Sequence, residues 1–179
     1  MSEAIIQEIL DSIRMHRSVL HSPDVAHLVI DHNKVISSHT LPGLEVNVKE
    51  LEDGIEAEIH LAEGATIEKP VHMCFGMLPK SGVQRINLRI RLEKRSKIAI
   101  TAHCTFPNAV DVQHLMDARI DIGEGADFAY FERHVHGPEG GVQVVPKAVV
   151  DVGKGARFRT EFELLRGRVG TIDIDYETT

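Results

Sequence analysis

The sequence predicts an all-β protein built on a parallel β-helix, a solenoid whose successive coils stack strand on strand. One observation is an internal repeat, with its clearest copies at Ile59–Ala65, Ile90–Ser96, Ile120–Ala126 and Val150–Ala156. Their last residues, at positions 65, 96, 126 and 156, follow one another at intervals of 31, 30 and 30 residues. A fixed period is typical of solenoids, in which each coil buries its apolar face against its neighbours. The other observation is that a segment of period-2 alternation lies on each side of every turn, with no helical segment between copies, which favours a β-helix over a βαβ fold.

The composition fits one domain with sheet-based packing. At 179 residues the chain is long enough for a sizeable core, and 42% of its residues are apolar. Only 4% are aromatic and none is Trp. We therefore expect a core of small and branched side chains, which suit β-sheets.

Charge and cysteine content exclude several classes of function. A net charge of −7 argues against a nucleic-acid partner, because phosphate binding requires clustered Lys and Arg. No segment has the roughly 18 uncharged apolar residues of a membrane span, nothing resembles a signal peptide, and two cysteines do not form a disulfide framework. We expect a cytoplasmic protein with reduced thiols and no membrane partner.

Residues 1–42 are predicted to form an N-terminal appendage of one helix and one hairpin. Residues 2–19 have helical periodicity, with an apolar stripe at Ile5, Ile6, Ile9 and Ile13. Residues 26–30 and 35–38 lie on either side of a polar turn and predict the hairpin. From residue 43 to 179 the repeat pattern predicts the β-helix.

The alternation also predicts which side chains face the interior. Positions are counted forward along the chain from the small residue that ends each copy. Near the turn, the even positions are apolar and are therefore expected to point inward. The eighth position forms one interior column: Met73, Cys104, His134 and Leu164. Stacked strands lie about 4.8 Å apart, so Cys104 and His134 are expected to be neighbours.

Cys104 is therefore the first candidate functional residue. An adjacent imidazole can accept the proton of a thiol, and the thiolate is the form that attacks or binds a metal. His134, His136 and His114 are the candidates for that imidazole. The alternative is that Cys104 only packs in the core, as free cysteines usually do.

A second candidate is a metal-binding strand. His134 and His136 are two positions apart and so share one face of a strand, and Glu139 follows them. Separately from this candidate, Glu132 falls at an inward position, where full burial without a partner would be too costly. Either the strand ends there, or the charge is paired with Arg133 or a neighbouring coil, or the interior is polar.

Four segments carry a resemblance to a known family. They are Glu68-Lys-Pro-Val-His72, His103-Cys-Thr-Phe-Pro107 followed by His114, Ile122-Gly-Glu-Gly-Ala-Asp-Phe-Ala-Tyr130, and Arg166-Gly-Arg-Val-Gly170. Together they resemble the SufB/SufD family of the SUF iron–sulfur cluster assembly system, particularly its shorter archaeal and bacterial members, over about residues 41–179.

The resemblance implies a right-handed parallel β-helix that acts as a scaffold rather than as an enzyme. It also implies a SufC-type ABC ATPase as partner, together with a second SufB/SufD-type chain or a second copy, and a transient iron–sulfur cluster or iron ion. Cys104-Thr105, with Pro107 and His114 downstream, looks like the Cys-Thr-x-Pro…His segment of SufB. The cysteine of that segment is a candidate sulfur acceptor, and the resemblance passes this role to Cys104.

Family members normally continue through further coils and a C-terminal helical segment that docks the ATPase. We therefore expect this chain to be a short form or a fragment, with its β-helix truncated at the C-terminal end. An open last coil exposes strand edges, so a dimer or higher oligomer is expected.

Two other functions stay open on the sequence. A metal-dependent, cupin-like enzyme would use His134 and His136 with Glu139 or His114, and its strands would be antiparallel. A purely structural β-solenoid would bind a partner along its side.

Overall fold

A computed structural model describes residues 2–179, with side chains at every position of that range other than 2, 3 and 5. It confirms the parallel β-helix. The first elements are α1 (Ser2–Ser12), a 3₁₀ segment (Arg17–Val19), β1 (His27–Asp31), β2 (Lys34–His39), β3 (Leu44–Glu50), β4 (Gly54–Leu61) and β5 (Val71–Gly76). The remaining strands are β6 (Ser81–Leu92), β7 (Lys97–Phe106), β8 (Asp111–Ile122), β9 (Asp127–His136), β10 (Val142–Val152), β11 (Arg157–Arg166), β12 (Thr171–Ile172) and β13 (Asp175–Thr178).

Two sheets form the walls of the coil. The first has the strand order β11-β9-β7-β5-β1-β2, and the second has the order β12-β10-β8-β6-β4-β3 with β13 also paired to β10. All pairings are parallel except β1 with β2 and β3 with β4. Consecutive long strands alternate between the two sheets, so each coil contributes one strand to each wall.

The repeat turns have one shared backbone conformation. Gly64, Gly125 and Gly155 have φ of +70°, +69° and +67°, and Arg95 takes the same left-handed conformation with φ of +57°. Glycine adopts this conformation without steric penalty, which explains its recurrence in three of the four copies.

The register of β7, β9 and β11 follows the 30-residue period. Asp127 of β9 pairs with Lys97 on one side and with Arg157 on the other. Cys104 pairs with His134 in the same ladder, as the sequence predicts.

The predicted register of the first coil is wrong by two residues. Phe75 rather than Met73 lies opposite Cys104. Thr66 pairs with Lys97, 31 residues later, whereas Val71 pairs with Ile100, only 29 residues later. The first coil therefore has four residues, 67–70, where the next coil has two, 98 and 99. Pro70 has no N–H to donate to a sheet, which explains why this segment leaves the ladder.

The N-terminal helix is also shorter than predicted. It ends at Ser12, and Arg14 adopts φ of +54°, which stops a helix. Ile6 and Ile9 are buried, as the apolar stripe predicts, and Leu20 joins them from beyond the 3₁₀ segment. The predicted contribution of Ile5 lies outside the described side chains.

The helix covers the outer surface of the first sheet. Ile9 and Leu10 pack there against Val29 of β1 and Cys74 of β5. The predicted hairpin is confirmed, and β1 also pairs in parallel with β5, so residues on both sides of the predicted boundary near 42 share one sheet. Among the described residues, no helix is long and apolar enough to span a membrane.

Candidate functional site

A group of polar side chains lies inside the otherwise apolar coil. Cys104 comes from β7, His114 from β8 in the facing sheet, and Glu132, His134 and His136 from β9. None of the five is more than 3% exposed. Aromatic rings of Phe106 and Phe162 pack against the histidines.

Four of these residues converge on one point. The donor atoms of Cys104, His114, Glu132 and His134 all lie within 4.8 Å of one another. In the part of the chain that the structure describes, no other group of three or more His, Cys and carboxylate side chains is close enough together to hold a metal ion. The convergence follows from the fold, because two coils and two walls each supply part of it.

A chain of hydrogen bonds fixes the protonation of His134. The Nδ1 of His136 lies 3.1 Å from the carbonyl oxygen of Arg168, which can only accept, so this nitrogen carries a hydrogen. In neutral His136, Nε2 is then an acceptor, and it lies 3.1 Å from Nδ1 of His134. His134 therefore donates through Nδ1, which leaves its Nε2 unprotonated.

The same reasoning places a proton on Glu132. Nε2 of His134 lies 2.9 Å from Oε1 of Glu132, and since a neutral His134 accepts at Nε2, the carboxyl group donates. Burial is the main cause that raises the pKa of Glu132 to about 7. Burial likewise lowers the pKa of His134 to about 3, so both shifts agree with a neutral imidazole and a protonated carboxyl group.

His114 is oriented from the opposite wall. The amide nitrogen of Gln84 donates to the carbonyl oxygens of His32 and Gly76, at 3.0 and 2.9 Å. Its amide oxygen therefore accepts from Nδ1 of His114 at 3.0 Å, which leaves Nε2 of His114 unprotonated. Burial is again the first cause that lowers the pKa of His114, to about 3.

Cys104 is a protonated thiol in this environment. Burial and then the nearby carboxyl group of Glu132 raise its pKa well above the usual value. Cys74 points to the opposite face of the sheet, under α1, where burial raises its pKa to about 12. The two thiols are therefore separated by the sheet itself.

The predicted candidates differ in where the structure places them. Cys104, His114 and His134 meet, and His136 contacts His134 without joining the group of four donors. Glu139 is exposed in the loop after β9, so the predicted grouping of His134, His136 and Glu139 does not form. The sheets that hold the site are parallel, whereas the cupin-like alternative requires antiparallel strands.

Three residues of the site were not among the predicted site residues. One is Glu132, which the sequence marked only as a carboxyl group at an inward position. Gln84 is at an inward position of β6, two residues before Ile86, and this polar residue in an apolar alternation is the signal that could have identified it. Tyr176 on β13 interacts with the carboxyl group of Glu132 through its phenol. The sequence offers no comparable signal for Tyr176, because it lies beyond the last copy of the repeat.

Comparison with known proteins gives two curated relatives. The chain is 31% identical over 180 residues to an iron–sulfur cluster assembly SufBD family protein of Methanocaldococcus jannaschii, covering 97% of this chain and 57% of that protein. It is 30% identical over 151 residues to a protein of the same description from Pyrococcus horikoshii, covering 84% of this chain and 46% of that protein. The chain thus spans about half the length of these relatives.

No family model matches the chain, and no solved structure matches it significantly. The two relatives nevertheless align with most of it, including both coils that carry the buried polar group. The chain belongs to the SufB/SufD family.

Proposed function

We propose that this chain is a scaffold component for iron–sulfur cluster assembly and that Cys104 is its sulfur acceptor. The observation that carries the proposal is the buried convergence of one thiol, two imidazoles and one carboxyl group. The curated relatives are described as iron–sulfur cluster assembly proteins. The role is that of a carrier of sulfur and iron rather than of an enzyme.

Sulfur transfer from a persulfide donor fits this group of side chains. The sulfur atom of Cys104 would attack the terminal sulfur of a donor R–S–SH, giving Cys104–S–SH and R–SH. The proton of the Cys104 thiol ends on the departing thiolate, so atoms and charge balance. We assign to the unprotonated Nε2 of His114 the role of holding that proton in transit, which its proximity to Cys104 supports.

Two kinds of partner belong to the proposal. One is an ABC ATPase of the SufC type, and the other is a second SufB/SufD-type chain or a second copy of this one. The last coil supports the second partner, because it exposes the apolar side chains Leu164, Leu165, Ile172 and Ile174. Co-purification of the tagged protein, with partners identified by mass spectrometry, tests the first; recovery without an ABC ATPase would contradict that part.

The test of the function compares the two cysteines. The protein is incubated anaerobically with ferrous iron and a small-molecule persulfide donor, and persulfides are mapped by mass spectrometry while cluster absorption is recorded. We expect persulfide and cluster in the wild type and in Cys74→Ser, and neither in Cys104→Ser. Equal cluster yield in both variants, or persulfide on Cys74 alone, would contradict the proposal.

A further inference from the structure

The interior group has the composition of a mononuclear metal site. It combines one sulfur, two nitrogens and one oxygen donor, and each of its side chains is at least 98% buried. Donors bound to a tetrahedral ion at about 2.0–2.3 Å lie about 3.3–3.8 Å from one another. The four donor atoms all lie within 4.8 Å of one another, so the widest pair needs to approach by about 1–1.5 Å. Nε2 of His134 and Oε1 of Glu132, at 2.9 Å, need to separate slightly.

Hydrogen bonds outside this group hold the imidazoles ready to coordinate. Gln84 accepts from Nδ1 of His114, and His136 accepts from Nδ1 of His134, so both rings direct an unprotonated Nε2 to the group. Histidine ligands of metals commonly donate their second ring N–H to an oxygen or nitrogen acceptor in this way. Apolar packing alone gives no reason for two oriented imidazoles beside a thiol.

The charges of the group match a divalent ion. Coordination releases one proton from the Cys104 thiol and one from the Glu132 carboxyl group: M²⁺ + Cys–SH + Glu–COOH gives M(Cys–S)(Glu–COO) + 2 H⁺. The occupied site is then electrically neutral. A neutral site is favoured in a dry interior, where an uncompensated charge is strongly disfavoured.

We propose that Cys104, His114, Glu132 and His134 bind one divalent transition-metal ion, and that Gln84 and His136 position the two imidazoles. Mixed sulfur, nitrogen and oxygen donors in four-coordinate geometry suit Fe²⁺, Co²⁺ and Zn²⁺ rather than Mg²⁺ or Ca²⁺. We take Fe²⁺ as the natural ion, and this choice rests on the proposed function. The existence of the site rests on its geometry alone. Metal coordination also makes Cys104 a thiolate, which the apo interior does not.

Co²⁺ is the probe for the test, because its visible spectrum reports four-coordinate geometry and its near-ultraviolet charge-transfer band reports a thiolate ligand. The anaerobic protein is titrated with Co²⁺ in the native state, and in parallel is refolded from urea with Co²⁺ present, so that slow entry into the coil is controlled. We expect one Co²⁺ per chain with a thiolate band in the wild type and in Cys74→Ser. Cys104→Ser loses that band.

Gln84 is tested with a matched pair of variants. Gln84→Leu has a similar volume but no acceptor for Nδ1 of His114, and we expect a 10- to 100-fold loss of Co²⁺ affinity with an altered visible spectrum. Gln84→Glu retains an acceptor oxygen and should restore the wild-type spectrum. Circular dichroism checks that both variants fold, and a Gln84→Leu protein that does not fold is replaced by Gln84→Met, whose thioether is only a weak acceptor.

Absence of bound Co²⁺ by both routes, or a thiolate band that survives in Cys104→Ser, would overturn the inference. The outcome is separable from the function tested above. Cluster assembly without a Co²⁺ site would contradict the metal site but not the proposed function. A Co²⁺ site without persulfide or cluster would contradict the proposed function but not the metal site.

Discussion

At the scale of the residue, Glu132 explains how a carboxyl group can lie inside an apolar coil. Below about pH 7 it is protonated, donates to Nε2 of His134 and interacts with the phenol of Tyr176. A neutral carboxyl group avoids the large penalty of burying an unpaired charge. The hydrogen bond then fixes the orientation of the imidazole next to Cys104.

Replacing Glu132 by Gln should remove the pH dependence that this residue contributes. Burial raises the folded-state pKa of Glu132 to about 7, above its value in the unfolded chain, so its contribution to stability is full below about pH 4.5 and is lost as pH rises through 7. Gln is similar in shape and still donates to His134. In urea unfolding, Glu132→Gln should gain stability relative to the wild type between pH 5 and pH 8.

Glu132→Ala is the contrasting variant for this prediction. It leaves a cavity and removes the donor to His134, so we expect a loss of about 1–3 kcal/mol at every pH. A constant difference between wild type and Glu132→Gln from pH 5 to pH 8 would contradict a protonated Glu132.

At the scale of the element, α1 protects one face of the first sheet and the coil protects the other. Ile9 is fully buried and packs closely against Gly76. A Cβ atom added to Gly76 would lie 2.5 Å from Cδ1 of Ile9, so a side chain there would displace Ile9. Cys74 is under this helix, whereas Cys104 is inside the coil.

Ile9→Ala should therefore expose Cys74 selectively. The loss of packing is expected to destabilise the helix contact by about 2–4 kcal/mol. Under native conditions, alkylation followed by mass spectrometry should show both thiols unreactive in the wild type and Cys74 alone reactive in Ile9→Ala. The exposed Gln7→Ala change serves as control, and labelling of Cys104 before Cys74 would contradict this assignment of faces.

The elements also show what the sequence could predict. Fixed period and strict alternation were enough to place Cys104 opposite His134, because each depends on local chemistry that recurs in every coil. The register of the first coil was predicted wrongly, since two additional residues within 67–70 shift the pairing without changing which side chains face inward. The interaction of Glu132 with Tyr176 depends on a strand beyond the last copy, which no periodic signal reaches.

At the scale of the whole molecule, buried neutral histidines make stability depend on pH. Burial lowers the folded-state pKa of His103, His114 and His134 to about 3 and that of His136 to about 4. These groups bind protons in the unfolded chain below about pH 6.5 and not in the folded one, so stability falls as pH falls. Each contributes a slope of about 1.4 kcal/mol per pH unit, and Glu132 opposes only one of them.

The urea midpoint should accordingly decrease between pH 6.5 and pH 5. His103→Asn removes one of these groups on the face of β7 opposite to Cys104, where His103 contacts His72. It should give a shallower decrease. A midpoint that is level or that rises over this interval would contradict neutral burial of the histidines.

The open coil gives a prediction about assembly. β11 is paired on one edge only, and exposed Leu165 and Ile174 lie at the same end of the molecule. We expect a dimer or larger oligomer by light scattering at micromolar concentration, and dissociation in Leu165→Lys. Val110→Lys, at an exposed site away from β11, is the matched control; a monodisperse wild-type monomer would contradict the prediction.

Whether the interior of the coil binds iron is tested most directly by anomalous diffraction from crystals of the protein loaded anaerobically with one equivalent of Fe²⁺. We expect one iron peak inside the coil, within bonding distance of the Cys104 sulfur and the His134 imidazole. A peak confined to the outer cavity of about 280 Å³ lined by His21, His27 and His39 would contradict it.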